Sequence, residues 1–160
     1  MIHVGLSEIK YAEAPETLKS MGLGSCIGVV IYHETRGVAG MAHVMLPDST
    51  LARSHSFLPG KFADTAVPEL INHLTRRCGL QLNELKAKMA GGAEMFKTNR
   101  ILSLDSIGKR NAEAVHEQLS KFHIPVISED TGKDFGRTVE FMTATHQLLI
   151  RAISHGEQLI

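Results

Sequence analysis

The residue types with the most chemistry to offer lie in Met21–Pro47, MGLGSCIGVVIYHETRGVAGMAHVMLP. Cys26 follows Gly24-Ser25 and stands two residues before Gly28; His43 lies on the next apolar run. A free thiol is mostly protonated at neutral pH, but an adjacent imidazole can take its proton and make a thiolate–imidazolium pair. Glycines beside the sulfur let a substrate approach the backbone and free main-chain N–H groups for an oxyanion. Side chains alternate along a strand, so Ile27, Val29 and Ile31 share one face while Cys26, Gly28 and Val30 take the other. A hairpin closing around Thr35-Arg36 makes paired positions sum to about 71, which sets Cys26 opposite Met45 with His43 as a diagonal neighbour on the same face. The competing interpretation is plain packing, because buried cysteine is a common small core residue. The flanking glycines favour a site, since a core strand gains nothing from them.

The remaining candidates are weaker. Nine histidines are present, but none shows ligand spacing such as His-x-x-x-His, so no metal site is expected. Cys78 ends a helical stretch and reads as structural. Gly91-Gly92-Ala93 is not a phosphate loop, because no Gly-Lys-Ser/Thr follows at the required spacing. Lys109-Arg110 near a helix start could meet an anion, although a solvated charged face is more usual. Asp130-Thr131-Gly132 and Gly136-Arg137 mark a loop between strands.

These residues need a scaffold. The chain has 160 residues, of which 43% are hydrophobic and 21% charged, a composition for one globular domain over residues 1–160 and not for a disordered chain. Lys+Arg (17) equals Asp+Glu (17), so no basic excess points to a nucleic acid or an anionic membrane. No apolar run is long enough to insert in a bilayer and no signal peptide is visible. Two cysteines make no disulfide framework, and a reduced, cytoplasmic protein is expected.

Short strands are expected over Ile2–Leu6, Leu23–His33 and Val38–Leu46, with Ala12–Lys19 as a connection. Phe62–Cys78 has helical spacing at Val67, Leu70, Ile71 and Leu74, and Gly79 stops it. Leu85–Ala90 reads as a strand. Ser106 caps a helix over Ile107–Phe122, whose buried face carries Val115, Leu119 and Phe122. Strands follow at Pro125–Ser128, Val139–Met142 and Gln147–Ile153. This order predicts α+β: a layered sandwich with a large mixed or antiparallel sheet core flanked by helices.

Five stretches in this order resemble the CheD family of chemoreceptor glutamine deamidases. They are Leu23–Gly28, Ala42–Pro47, Lys88–Phe96, Ile107–Asn111, and Asp130-Thr131-Gly132 with Gly136-Arg137. The resemblance implies a fold similar to the catalytic domain of the cytotoxic necrotizing factor toxins. It implies a chemotaxis enzyme that converts receptor glutamines to glutamates through a cysteine thioester, without metal or organic cofactor. The family nucleophile falls on Cys26 and its histidine on His43. The third catalytic residue, usually threonine, falls on Ser20, which keeps the orienting hydroxyl and lacks the methyl. Lys133 stands where the family often has glycine. Gly24 and Ser25 are expected to touch substrate. Chemoreceptor helices and the CheC phosphatase are the implied partners. The alternatives are a mainly regulatory binding partner of CheC, or a receptor glutamyl methylesterase using the same site.

Overall fold

The computed structural model describes residues 1–95 and 107–160. Among the described residues ten strands make two five-stranded sheets. The first sheet has the order β1 (Ile2–His3), β3 (Thr17–Leu23), β8 (Arg137–Met142), β9 (Gln147–Ala152), β10 (Gly156–Leu159). The second has β2 (Ile9–Glu13), β5 (Val38–Val44), β4 (Ile27–His33), β6 (Lys86–Gly91), β7 (Val126–Thr131). Each is antiparallel except for one parallel pair, β1 with β3 and β6 with β7. Helices α1 (Ala63–Asn72) and α2 (Ile107–Lys121) cover the outer face of the second sheet. The expected α+β sandwich therefore has three layers: helices, sheet, sheet.

Two apolar cores follow from this layering. Ile27, Val29 and Ile31 pack with Val67, Leu70, Val115 and Leu119 in the helix-side core. Val30, Tyr32 and Met41 pack with Leu18, Val139 and Phe141 between the sheets. Every residue of β4 is buried, because a central strand with both faces covered needs apolar side chains on both.

Several sequence expectations change. Ala12–Lys19 is not a plain connection: it ends β2 and begins β3. The alternation Leu18, Ser20 on the buried side of β3 was obscured by Pro15, which lies in the turn before it. Leu23–His33 is two strands broken by a turn at 24–26. The N-terminal strand is only Ile2–His3, and β10 was missed because its side chains are all exposed. Asp130 and Thr131 end β7 and Arg137 begins β8, so the loop is confined to 132–136. The expected helix over 62–78 is α1 followed by a wider turn, His73–Arg77, and Gly79 takes a positive φ of 69° as a helix stop requires. Cys78 packs against the helix-side core, as a structural cysteine does. The Ser106 cap and Phe96 lie outside the described residues.

Candidate active site

The hairpin register sets the site. Ile27 pairs with Val44 and Gly28 with His43, so the expected sum of paired positions holds. Cys26 lies immediately before Ile27, the first residue of β4, on the turn that joins it to β3. His43 is the second-last residue of β5. Gly28 faces it across the ladder and offers no side chain to fill its space. A Cβ at Gly28 would meet Leu23 Cδ1 at 3.0 Å and Val139 Cγ2 at 3.4 Å.

Ser20 arrives from the other sheet. Its Oγ lies 2.8 Å from His43 Nδ1 and donates to Val4 O at 2.8 Å. The register of β3 against β8 shifts between Ser20 and Leu23. A bulge of this kind bends a strand and re-aims its side chains. Ser20 and His43 are both only 1% exposed, so their polar atoms must find partners in the protein.

The hydrogen bonds fix the imidazole tautomer. A carbonyl only accepts, so the single proton of Ser20 goes to Val4. Nδ1 must then carry hydrogen and donate to Ser20 Oγ. This leaves Nε2 as a bare lone pair, buried and without a hydrogen-bond partner. That nitrogen is equipped to accept a proton.

Burial controls the charge state. It lowers the His43 pKa, partly opposed by the Val4 carbonyl. It raises the Cys26 thiol pKa. Both directions favour neutral thiol beside neutral imidazole. Both shifts work against the thiolate–imidazolium pair expected from sequence.

The turn around the sulfur is held by its carbonyls. Ala93 N donates to Gly24 O at 2.8 Å and Gly92 N donates to Cys26 O at 2.9 Å. Asn111 Nδ2 reaches Ser25 O at 2.9 Å and Met45 O at 3.0 Å. Gly91 must be glycine: its φ is +112° and a Cβ would lie 2.1 Å from Cys26 O. Arg137 supports this strand end, donating to Gly91 O at 3.4 Å and Gly132 O at 3.1 Å while its Nε pairs with Asp130 at 2.9 Å. Gly24, Ser25 and Cys26 are half-buried, and Met95 lies over Gly24, with its Cγ 3.1 Å from where a Cβ would stand.

The family model described as CheD chemotactic sensory transduction matches residues 45–152. The protein named Chemoreceptor glutamine deamidase CheD from Bacillus subtilis (strain 168) is 48% identical over 160 residues, covering 100% of this chain and 96% of that one. The chain belongs to the CheD family. Its similarly named relative in Halalkalibacterium halodurans is 44% identical over 100% of this chain and 98% of that protein. Among solved structures, Bacillus licheniformis hypothetical protein YfiH shares the fold, with a TM-score of 0.50 at 16% identity. That match covers 77% of this chain, which spans 49% of the YfiH chain.

The structure thus brings Ser20, Cys26 and His43 of this CheD chain to one corner between the sheets, with Gly24 and Ser25 in the same turn. Asn111 and Arg137 fell within the family-like stretches Ile107–Asn111 and Gly136-Arg137, but no role beside Cys26 followed from the sequence for either. Asn111 carried a signal: it lies one turn before Val115 and Leu119 on the buried stripe of α2, and a polar residue on an apolar stripe asks for a partner. Among the described residues no group of His, Cys, Asp and Glu could hold a metal. No described helix is long and apolar enough to cross a membrane. The cleft of about 910 Å³ between Phe57, Pro68, Ile71, Leu80 and Phe122 lies along α1 and includes none of the three residues.

Proposed function

We propose that the protein is a chemoreceptor glutamine deamidase with Cys26 as nucleophile, His43 as base and then acid, and Ser20 as the group that orients the imidazole. The observation that carries this reading is the Val4–Ser20–His43 chain of hydrogen bonds, which leaves the buried Nε2 as a bare lone pair. Family membership and full-length likeness to proteins named for this activity support it.

The reaction balances as a hydrolysis. Cys26 Sγ bonds to the carboxamide carbon of a receptor glutamine, and the thiol proton moves to His43 Nε2. The tetrahedral species collapses as the C–N bond breaks, and His43 returns the proton to the leaving ammonia. Water then attacks the thioester carbon, giving a proton to His43, and the thiolate departs and is reprotonated. Glutamate and ammonia result. Every proton passes through one nitrogen, so the chain needs no second base.

The substrate is a side chain on a long receptor helix, and it meets the exposed rim of the turn. Met95 and Met21, 45% and 57% exposed, supply adaptable apolar contact for such a helix. The CheC phosphatase would dock on the same face and compete with receptor, from a cytoplasmic location. The two-sheet architecture also supports kinship with the cytotoxic necrotizing factor catalytic domain, which a strand-by-strand superposition tests.

The decisive assay is ammonia release from a purified receptor cytoplasmic domain, with mass-spectrometric mapping of glutamine-to-glutamate conversion. Conversion by the wild type and none by Cys26→Ala is expected. Wild-type rates in Cys26→Ala would remove the nucleophile assignment, and no conversion by either would remove the deamidase reading.

A further inference from the structure

The Ser25–Cys26 peptide is gripped by its carbonyl. Asn111 Nδ2 donates to Ser25 O at 2.9 Å and to Met45 O at 3.0 Å, so one buried amide ties the nucleophile's turn to the end of the histidine's strand. Asn111 is 0% exposed, and its Oδ1 has no hydrogen-bond partner among the described residues. A buried amide with an orphan acceptor is a costly choice for packing alone. What the position gains is its two donated bonds.

Those bonds set a direction. Asn111 belongs to α2, whose Val115 and Leu119 pack on the helix-side core. Cys26 instead packs against the core between the sheets, where Ser20 meets His43. A trans peptide points its N–H opposite to its C=O. Drawing Ser25 O toward the helix layer therefore turns the Cys26 N–H toward the face that holds Sγ and the imidazole. Neither that N–H nor the Ser25 N–H meets an acceptor among the described residues.

We propose that Asn111 is a positioning residue that fixes the Ser25–Cys26 peptide so that the Cys26 N–H donates to the oxyanion of the acyl-transfer step. The proposal rests on the nucleophile reading of Cys26 and deepens it by naming the donor and the residue that aims it. A donor aligned before reaction stabilises charge only when a carbonyl oxygen becomes an alkoxide. Attack on an alkyl halide develops no such oxygen.

Two reagents separate these demands on the whole protein. p-Nitrophenyl acetate acylates Cys26 through a tetrahedral oxyanion, and iodoacetamide alkylates it without one. In Asn111→Ala and in the same-sized Asn111→Asp, acylation is expected to fall about a hundredfold. Alkylation should stay within about twofold of wild type, because the sulfur and its base are untouched. Val115→Ala, which loosens the same helix without reaching the turn, should leave the ratio of the two rates unchanged. Equal losses of both rates in the Asn111 variants, or no loss in either, overturn the proposal.

A wild-type measurement stands should those variants fail to fold. A peptide carrying glutamate semialdehyde at the target position adds to Cys26. The Sγ–C bond forms, the carbonyl pair moves to oxygen, and the thiol proton reaches that oxygen through His43. The Cys26 amide proton resonance is expected to move downfield, and an unmoved resonance overturns the proposal. Receptor deamidation that fails while acylation and the resonance shift behave as expected removes the substrate reading and leaves the donor assignment standing.

Discussion

His43 is only as useful as its second nitrogen, and that nitrogen is set by a hydroxyl from the other sheet. Ser20→Ala removes the acceptor for Nδ1–H and leaves Val4 O without its donor. It should lower kcat about tenfold to a hundredfold with little change in KM, while Ser20→Thr keeps most of the activity. Steady-state deamidation of a receptor fragment reads the difference. The pH profile carries a sign. Under the proposed mechanism the base is neutral His43, and burial lowers its pKa, so the acid limb of kcat/KM should lie below the ordinary imidazole value of about 6.5. Burial raises the thiol, so alkylation of Cys26 in His43→Ala should be slow at neutral pH and recover only at alkaline pH. A His43→Ala profile matching wild type would deny the imidazole its role. The position of His43, paired with Gly28 beside the Cys26 turn, was legible in the sequence because the hairpin's own turn sets it. Its charge state was not, because that depends on how deeply the second sheet buries the ring.

Gly91 and Gly22 separate strain from collision among the elements. Both have positive φ, +112° and +69°, but only at Gly91 does a Cβ strike backbone, 2.1 Å from Cys26 O. Gly22→Ala should cost about 1 kcal/mol, the penalty of a left-handed conformation for a residue with a Cβ. Gly91→Ala should cost about 2–4 kcal/mol, because β6 must also move away from the Cys26 turn. Urea unfolding of the two variants, with Cys26 alkylation as a probe of the turn, checks both. The β4–β5 hairpin was readable from its own turn. β10 was not, since a strand with every side chain exposed shows no alternation, and β3 was obscured because Pro15 and the bulge interrupt its pattern. A bulge is a tertiary adjustment, and here it aims Ser20 at His43.

For the molecule as a whole, the two sheets are joined at the site end by charge as well as by apolar packing. Arg137 has a fully buried side chain, its Nε pairs with Asp130 at 2.9 Å, and Asp130 is 13% exposed. Removing one partner leaves the other charge in a poor solvent. Arg137→Met should therefore destabilise by about 3–5 kcal/mol, and Arg137→Met with Asp130→Asn should recover part of it. Chemical denaturation of the single and double variants measures the coupling. The layered α+β class followed from the order of strands and helices, whereas the division into two sheets did not. That division depends on which distant strands pair, β3 with β8 above all, and pairing across more than a hundred residues leaves no local mark.

The same pairing imposes an order in time. Ser20, Cys26 and His43 all leave the ribosome early, but the groups that hold them come later: Gly92 and Ala93, then Asn111, then the β8 strand against which Ser20 is registered. A half-synthesised chain thus carries the thiol and the imidazole without the frame that makes them an enzyme. That frame is complete only once translation has passed Met142, so the order of synthesis places the reactive side chains first and their supports last.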